Sequence, residues 1–313
     1  MLVARSLPAV GTGALAAFAE LHQGGLDVTR AELLELAPGV DAFVADPTVD
    51  VDSALLEAAG PGLGVVANFA VGHDNVDLDA CRRRGVIVTN TPDVLSDSTA
   101  ELALALTLAA ARRINDAEAD LRRGRWIRPD PDAYLGLELT GACFGIVGLG
   151  SIGSRYAELA RPLAGEILYA GPTRKPRAER DLGAMRVGLD ELLRRADVVS
   201  LHVPATIRTD GLVGREQLHA MQPHALLINT SRGSLVDERA LAEALMKGEI
   251  GAAGLDVYER EPEVPAELRA APHCVLLPHI GSATARARDA MARLVADNVI
   301  AALRAEDPPN RVA

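Results

Sequence analysis

Short apolar runs separated by helical stretches recur along nearly the whole chain, and that alternation limits the fold more than any other feature. The N-terminal part carries "VDAFVAD" (40–46), "LGVVANFAV" (63–71) and "VIVTNT" (86–91), with helix patterns over Asp52–Ala59 and Leu78–Arg84 between them. A second series runs through "CFGIVGLG" (143–150), "EILYAG" (166–171), "DVVSLHV" (197–203), "ALLINTS" (225–231), "GAAGLDV" (251–257) and "CVLLP" (274–278). Short strands with a helix after each predict βαβ units and parallel sheets, hence the α/β class. Six strands in the second series is the number expected of a doubly wound dinucleotide domain.

Between the two series, residues 96–124 read as one long helix. Ser98 and Glu101 make a capping box at its start, and Gly124 stands just past its end. It is apolar on every face from Leu102 to Ala111, which predicts burial between layers. The last helix, Ala285–Arg304, is amphipathic and is expected to return to the first domain. A chain of 313 residues, 49% hydrophobic and 24% charged, has ample core without a disulfide or metal staple.

A net charge of −11 argues against nucleic acid or an anionic membrane as the main partner. Cys81, Cys143 and Cys274 lie far apart with no metal spacing, and their odd number fits a reducing compartment. Arg5, an apolar stretch and Ala17-Phe18-Ala19 before Glu20 resemble a signal segment, but Pro8, Gly11 and Gly13 interrupt the apolar run. That segment is read instead as a first strand (2–6) leading into a helix, and no run reaches the roughly 20 apolar residues of a membrane span. A cytoplasmic protein is expected.

"GLGSIG" places Gly148, Gly150 and Gly153 in G-x-G-x-x-G spacing after an apolar strand and before a helix over 154–160. In that context Gly148 permits the tight turn, Gly150 admits a pyrophosphate to the backbone, and Gly153 lets helix and strand approach. The amides of Ser151 and Ile152 would face the phosphates from the helix N-terminus. At the end of the next strand, "YAGPTRKPR" (169–177) has Gly171 where a ribose-binding carboxylate would stand, followed by Thr173, Arg174, Lys175 and Arg177. A missing acid beside a group of cations favours a 2′-phosphate, so NADP(H) is expected over NAD(H), with NAD(H) possible.

Three further strand ends carry reactive groups. Arg232 follows "INTS", Glu261 follows "LDVYER", and His279 follows "VLLP". Ligands of open α/β sheets bind at the carboxyl ends of strands, so these loops could share one crevice. A cation for carboxylate and carbonyl oxygens, a histidine to deliver a proton and an acid to orient it are the set needed to reduce a 2-keto acid.

At this point the chain resembles the D-isomer-specific 2-hydroxyacid dehydrogenases, and within them the glyoxylate/hydroxypyruvate reductases. The resemblance rests on "NFAVGHDNVD" (68–77), "VTNTPDVLSDSTAELALAL" (88–106), "GIVGLGSIG" (145–153), "INTSRGSLVDERAL" (228–241), "AAGLDVYEREP" (252–262) and "PHIGSAT" (278–284). It implies two Rossmann-like doubly wound parallel-sheet domains with the active site in the cleft between them. The substrate domain would comprise 1–93 plus 285–313, and the dinucleotide domain 94–284. It implies catalytic roles for Arg232, Glu261 and His279, with Glu261 favouring the protonated ring. It implies that Val71 and Gly72 offer amides to the substrate carboxylate, and that Thr99, Thr230 and Asp256 contact the cofactor, Asp256 at the nicotinamide carboxamide. His73 departs from the tyrosine common in the subfamily. The partner expected is a small 2-keto or 2-hydroxy acid, and the assembly a homodimer. Two alternatives stay open: a D-lactate, phosphoglycerate or hydroxyisocaproate type of dehydrogenase, and a dinucleotide-sensing scaffold that binds proteins.

Overall fold

The computed structural model describes residues 1–313, which form two compact units: 1–95 with 282–313, and 96–281. In the first unit the chain runs β1 (Leu2–Val3), α1 (Ala9–Phe18), β2 (His22–Gln23), α2 (Arg30–Leu36), β3 (Ala42–Ala45), α3 (Ser53–Ala59), β4 (Val65–Asn68), α4 (Leu78–Arg84) and β5 (Ile87–Thr89). The five strands are parallel, in the order β2-β1-β3-β4-β5, a doubly wound arrangement. β3 and β4 are buried throughout, which is why they read as unbroken apolar runs. Asp52 caps α3 by accepting from the Leu55 amide at 2.9 Å, and Gly85 ends α4 in the left-handed conformation. The C-terminal helix, Ala285–Leu303, belongs to this unit and packs on α1. Gly11 makes that approach possible: a Cβ there would stand 2.8 Å from the Ala292 carbonyl oxygen.

The second unit contains α5 (Ser96–Ala111), α6 (Ile114–Arg122), β6 (Ala142–Val147), α7 (Ser151–Ala160), β7 (Ala164–Ala170), α8 (Pro176–Leu182), β8 (Met185–Arg186), α9 (Leu189–Arg195), β9 (Val198–Leu201), α10 (Arg215–Ala220), β10 (Leu226–Asn229), α11 (Glu238–Lys247), β11 (Ala252–Leu255), α12 (Ala266–Ala270) and β12 (Cys274–Leu276). All pairings in its sheet are parallel, in the order β12-β11-β10-β9-β6-β7-β8. The strand order reverses between β6 and β9, so the crevice of this sheet opens where the glycine turn leaves β6. The sheet has seven strands rather than six, because the two-residue edge strand β8 is too short to leave a sequence pattern.

Four expectations for residues 96–124 and 154–160 are corrected. The long helix is two helices, interrupted at Arg113, whose φ is +51°. The returning chain causes the break: the Leu137 amide donates to the Ala111 carbonyl at 2.8 Å, taking an acceptor that a continuing helix would use. Ser98 lies inside α5, which begins at Ser96, two residues before the expected cap position. Nor is α5 buried on every face: Ala103, Leu106 and Ala110 face the core, while Leu108 is 39% exposed. α7 begins at Ser151, three residues before the expected start.

Candidate functional site

The turn after β6 has the stereochemistry that its glycines predict. Gly148 has φ +93°, and a Cβ on it would lie 2.6 Å from the His202 carbonyl oxygen. A Cβ on Gly153 would lie 2.1 Å from the Gly148 carbonyl oxygen, so α7 can cross the strand end only with glycine there. Gly150 is different: nothing of the protein lies within 4 Å of where its Cβ would be. Its bare backbone therefore faces open space, as a site approached closely by an external group requires. Gly150 is the N-cap of the ten-residue α7, with no side-chain cap and no acidic residue in the first turn. The positive end of the helix dipole therefore favours an anion at this turn.

His279 follows β12 and adopts φ +53°, a conformation costing a non-glycine residue on the order of 1 kcal/mol. Asp256, after β11, holds the loop in place. Its carbonyl oxygen accepts from the His279 amide at 2.9 Å, and its two carboxylate oxygens accept from the Ile280 and Gly281 amides, each at 2.7 Å. Burial raises the Asp256 carboxyl above its ordinary range, although these amides and the nearby His279 pull the other way. The imidazole Nδ1 of His279 then meets Glu261 Oε2 at 2.6 Å. Burial works against the Glu261 carboxylate, but the hydrogen bond and charge of His279, the Tyr258 amide and the charge of Arg232 together hold it below the usual range. Arg232, Glu261 and His279 therefore form one electrostatic group.

Several residues that carry no chemistry of their own build this arrangement, and the sequence reading did not single them out. The Asn229 side chain donates to the Arg232 carbonyl at 2.8 Å and accepts from the Ser231 amide at 3.0 Å. Buried Glu238 accepts from the Glu259 amide at 2.8 Å, and Tyr258 Oη donates to the Leu277 carbonyl at 2.9 Å. Gly233 sits so close to the 258–259 peptide that a Cβ would fall 1.8 Å from the Tyr258 carbonyl carbon. His202, beneath the glycine turn, packs its ring 5.1 Å from Tyr156 and meets Ser200 Oγ at 2.9 Å. Desolvation takes its pKa down to about 3. Only a histidine at the end of an apolar strand, "SLHV", hinted at it.

Thr99, Asp256 and Gly281 converge: a Cβ on Gly281 would lie 3.4 Å from Thr99 Oγ1 and 3.3 Å from Asp256 Oδ2. Thr230 Oγ1, at the end of β10, is buried without a hydrogen-bond partner, the condition of a hydroxyl that a bound molecule would satisfy. In the first unit, Asn90 donates to the Val71 carbonyl at 2.8 Å and Asn68 to the Gly72 carbonyl at 2.7 Å, fixing those peptides. Beside them, His73 Nδ1 is buried without a partner.

After β7, no protein atom lies within 4 Å of the Cβ position of Gly171, so the space a ribose-binding carboxylate would fill is open. Arg186 of β8 donates to the Gly171 and Pro172 carbonyls at 2.9 and 3.1 Å and anchors the loop carrying Thr173 and Arg174. Arg174 itself is paired with Glu179 of α8. The open turn, the uncapped α7 and the orphaned Thr230 hydroxyl fit a dinucleotide.

Residues 104–281 match the family described as D-isomer specific 2-hydroxyacid dehydrogenase, NAD binding domain. The whole chain is 46% identical over 318 residues to the glyoxylate reductase of Thermococcus litoralis, covering 96% of that protein. The Pyrococcus furiosus glyoxylate reductase is 46% identical over 297 residues, covering 94% of this chain and 88% of that protein. Among solved structures, a Thermus thermophilus protein superposes with a TM-score of 0.92 at 42% identity, covering 100% of this chain and 99% of that one. An NADPH-dependent glyoxylate/hydroxypyruvate reductase from Sinorhizobium meliloti, in complex with NADP and malonate, has a TM-score of 0.86 at 34% identity, covering 100% and 96%.

Proposed function

Since the chain belongs to the D-isomer-specific 2-hydroxyacid dehydrogenase family and is an oxidoreductase of that type, we propose that it reduces a small 2-keto acid, glyoxylate or hydroxypyruvate, with NADPH. The observation that carries this reading is the 2.6 Å contact between His279 Nδ1 and Glu261 Oε2, under the charge of Arg232. The reduced dinucleotide, when bound, supplies hydride to C2 of the substrate. Arg232 binds carboxylate and carbonyl oxygens through its planar fork and stabilises the charge that grows on the carbonyl oxygen. With Nδ1 engaged by Glu261, Nε2 is the ring nitrogen left to deliver the proton that turns that oxygen into a hydroxyl. Glu261, 2.6 Å from Nδ1, fixes the ring plane. The amides of Val71 and Gly72 hold the substrate carboxylate.

The second unit is the dinucleotide domain in this reading and the first the substrate domain. Gly148, Gly150, Ser151, Ile152 and Gly153 cradle the pyrophosphate, while Thr99, Thr230 and Asp256 line the nicotinamide end. Thr173 and Arg174, with open space at Gly171, receive a 2′-phosphate. We assign a homodimer, supported by the apolar side chains that one segment leaves exposed: Leu121 (60%), Trp126 (61%), Ile127 (91%) and Leu135 (67%). No helix is long and apolar enough to cross a membrane. We assign a reducing, cytoplasmic setting on the three unpaired cysteines.

The test is steady-state kinetics with glyoxylate, hydroxypyruvate, pyruvate and bulkier keto acids, each with NADPH and NADH. The highest kcat/KM is expected for a two- or three-carbon keto acid with NADPH. Turnover with none of these acids would overturn the enzymatic reading and leave a dinucleotide-sensing scaffold. A preference for NADH would overturn the cofactor assignment alone.

A further inference from the structure

The loop after β7 presents a cation that is already half neutralised. Tyr169, next to last in β7, is a fully buried side chain, and its hydroxyl donates to Glu179 Oε1 at 2.5 Å while accepting from the Lys175 amide at 2.9 Å. Pro176 starts α8, which places Glu179 in its first turn, back over the loop. There Glu179 takes both Nε and Nη2 of Arg174, at 3.2 and 2.5 Å. The carboxylate side chain is 18% exposed and the guanidinium side chain 71%. Glu179 is thus the built-in member of the pair and Arg174 the outward member. Arg174, then Tyr169, hold the Glu179 carboxyl down at about 2, so it is ionised at any ordinary working pH.

We propose that Glu179 is a specificity-determining residue of the dinucleotide site: a fixed counter-charge that competes with a 2′-phosphate for Arg174 and so moderates the preference for NADP(H). The proposal rests on the assignment of Arg174 to the 2′-phosphate. Nη1 lies on the far edge of the guanidinium from Glu179, so a phosphate can reach Arg174, but only beside an ionised carboxylate. A 2′-phosphate carries close to two negative charges near neutral pH and is repelled by that carboxylate. A free 2′-hydroxyl carries no charge and is indifferent to it. Because Arg186 anchors the Gly171 and Pro172 carbonyls independently of Glu179, the loop keeps its place when the counter-charge is removed.

The experiment is calorimetric titration of the intact protein, without substrate, with adenosine 2′,5′-bisphosphate and with adenosine 5′-phosphate. The proteins compared are the unmodified chain, Glu179→Gln, Arg174→Ala and the double variant, each checked for an unchanged melting temperature. Glu179→Gln keeps the shape and one acceptor and deletes the charge. It is expected to bind the bisphosphate roughly two- to five-fold more tightly, the scale of an exposed ion pair. The monophosphate should be unaffected, and the gain should shrink in high salt and vanish in the double variant. If Arg174→Ala weakens the bisphosphate but Glu179→Gln leaves it unchanged or weakens it as well, Glu179 merely orients the arginine and the proposal is overturned. If Arg174→Ala does not alter the ratio of the two ligands, the assignment of Arg174 fails first, and the proposal with it.

Discussion

Gly233→Ala is the sharpest perturbation of the candidate site, because one added methyl meets main chain rather than a movable side chain. The new Cβ would lie 1.8 Å from the Tyr258 carbonyl carbon and 2.2 Å from both the Glu259 nitrogen and the Tyr258 oxygen. Carbon atoms pack at about 3.5–4.0 Å, so the 232–233 and 258–259 segments must part by about 1.5–2 Å. Arg232 stands on one side of that contact and Glu261, three residues beyond Tyr258, on the other. A shift of this size separates the cation from the carboxylate that orients His279. Misplacement by about 1 Å in a reacting constellation can cost about 10²-fold, so kcat/KM should fall at least that far. Overpacking of this kind costs about 1–3 kcal/mol, which lowers the melting temperature by several degrees in a chain of this size. Gly13→Ala is the matched control, since nothing lies within 4 Å of its Cβ position in α1 and alanine is the better helix former. Paired keto-acid kinetics and thermal melts read both effects. Wild-type kcat/KM and melting in Gly233→Ala would show that the close approach to residue 258 does not set the site.

His279→Ala should lower kcat by about 10²- to 10⁴-fold with dinucleotide affinity little changed, read from turnover and cofactor titration; near-normal turnover would remove His279 from proton transfer. Arg232→Lys should not restore the activity lost in Arg232→Ala, because an ammonium cannot grip two oxygens in a plane; equal kcat/KM for the lysine and wild-type proteins would show that charge alone suffices. His202, held neutral by burial, has a folded pKa of about 3 against an ordinary value near 6.5. Below about pH 6.5 the unfolded chain takes up a proton that the folded one refuses, so stability falls with pH until the folded ring titrates near 3. His202→Gln should flatten melting temperature against pH across that window, and parallel curves for the two proteins would contradict the burial argument.

What the sequence determined by itself is what short-range pattern encodes. Buried parallel strands read as apolar runs, helices follow them, and a glycine turn placed between strand and helix needs only its own spacing to be recognised. The strand ends carrying Arg232, Glu261 and His279 were legible for the same reason, since the carboxyl end of a strand is a local property. The break at Arg113 was not, because it depends on Leu137 arriving at the Ala111 carbonyl from 26 residues away. Nor was β8, which exists only as a partner to β7. The clamp of Asp256 on residues 280 and 281, and the requirement for glycine at 233, likewise arise where segments distant in the chain meet. The pairing of Arg174 makes the division plainest. Its partner is only five residues on, yet Arg174, Lys175, Arg177 and Arg180 all stand within reach of Glu179 in the sequence. The choice falls to Tyr169, whose buried hydroxyl fixes Glu179 over one of them. Composition places like charges in a loop, but only a packed side chain decides which of them is already spoken for.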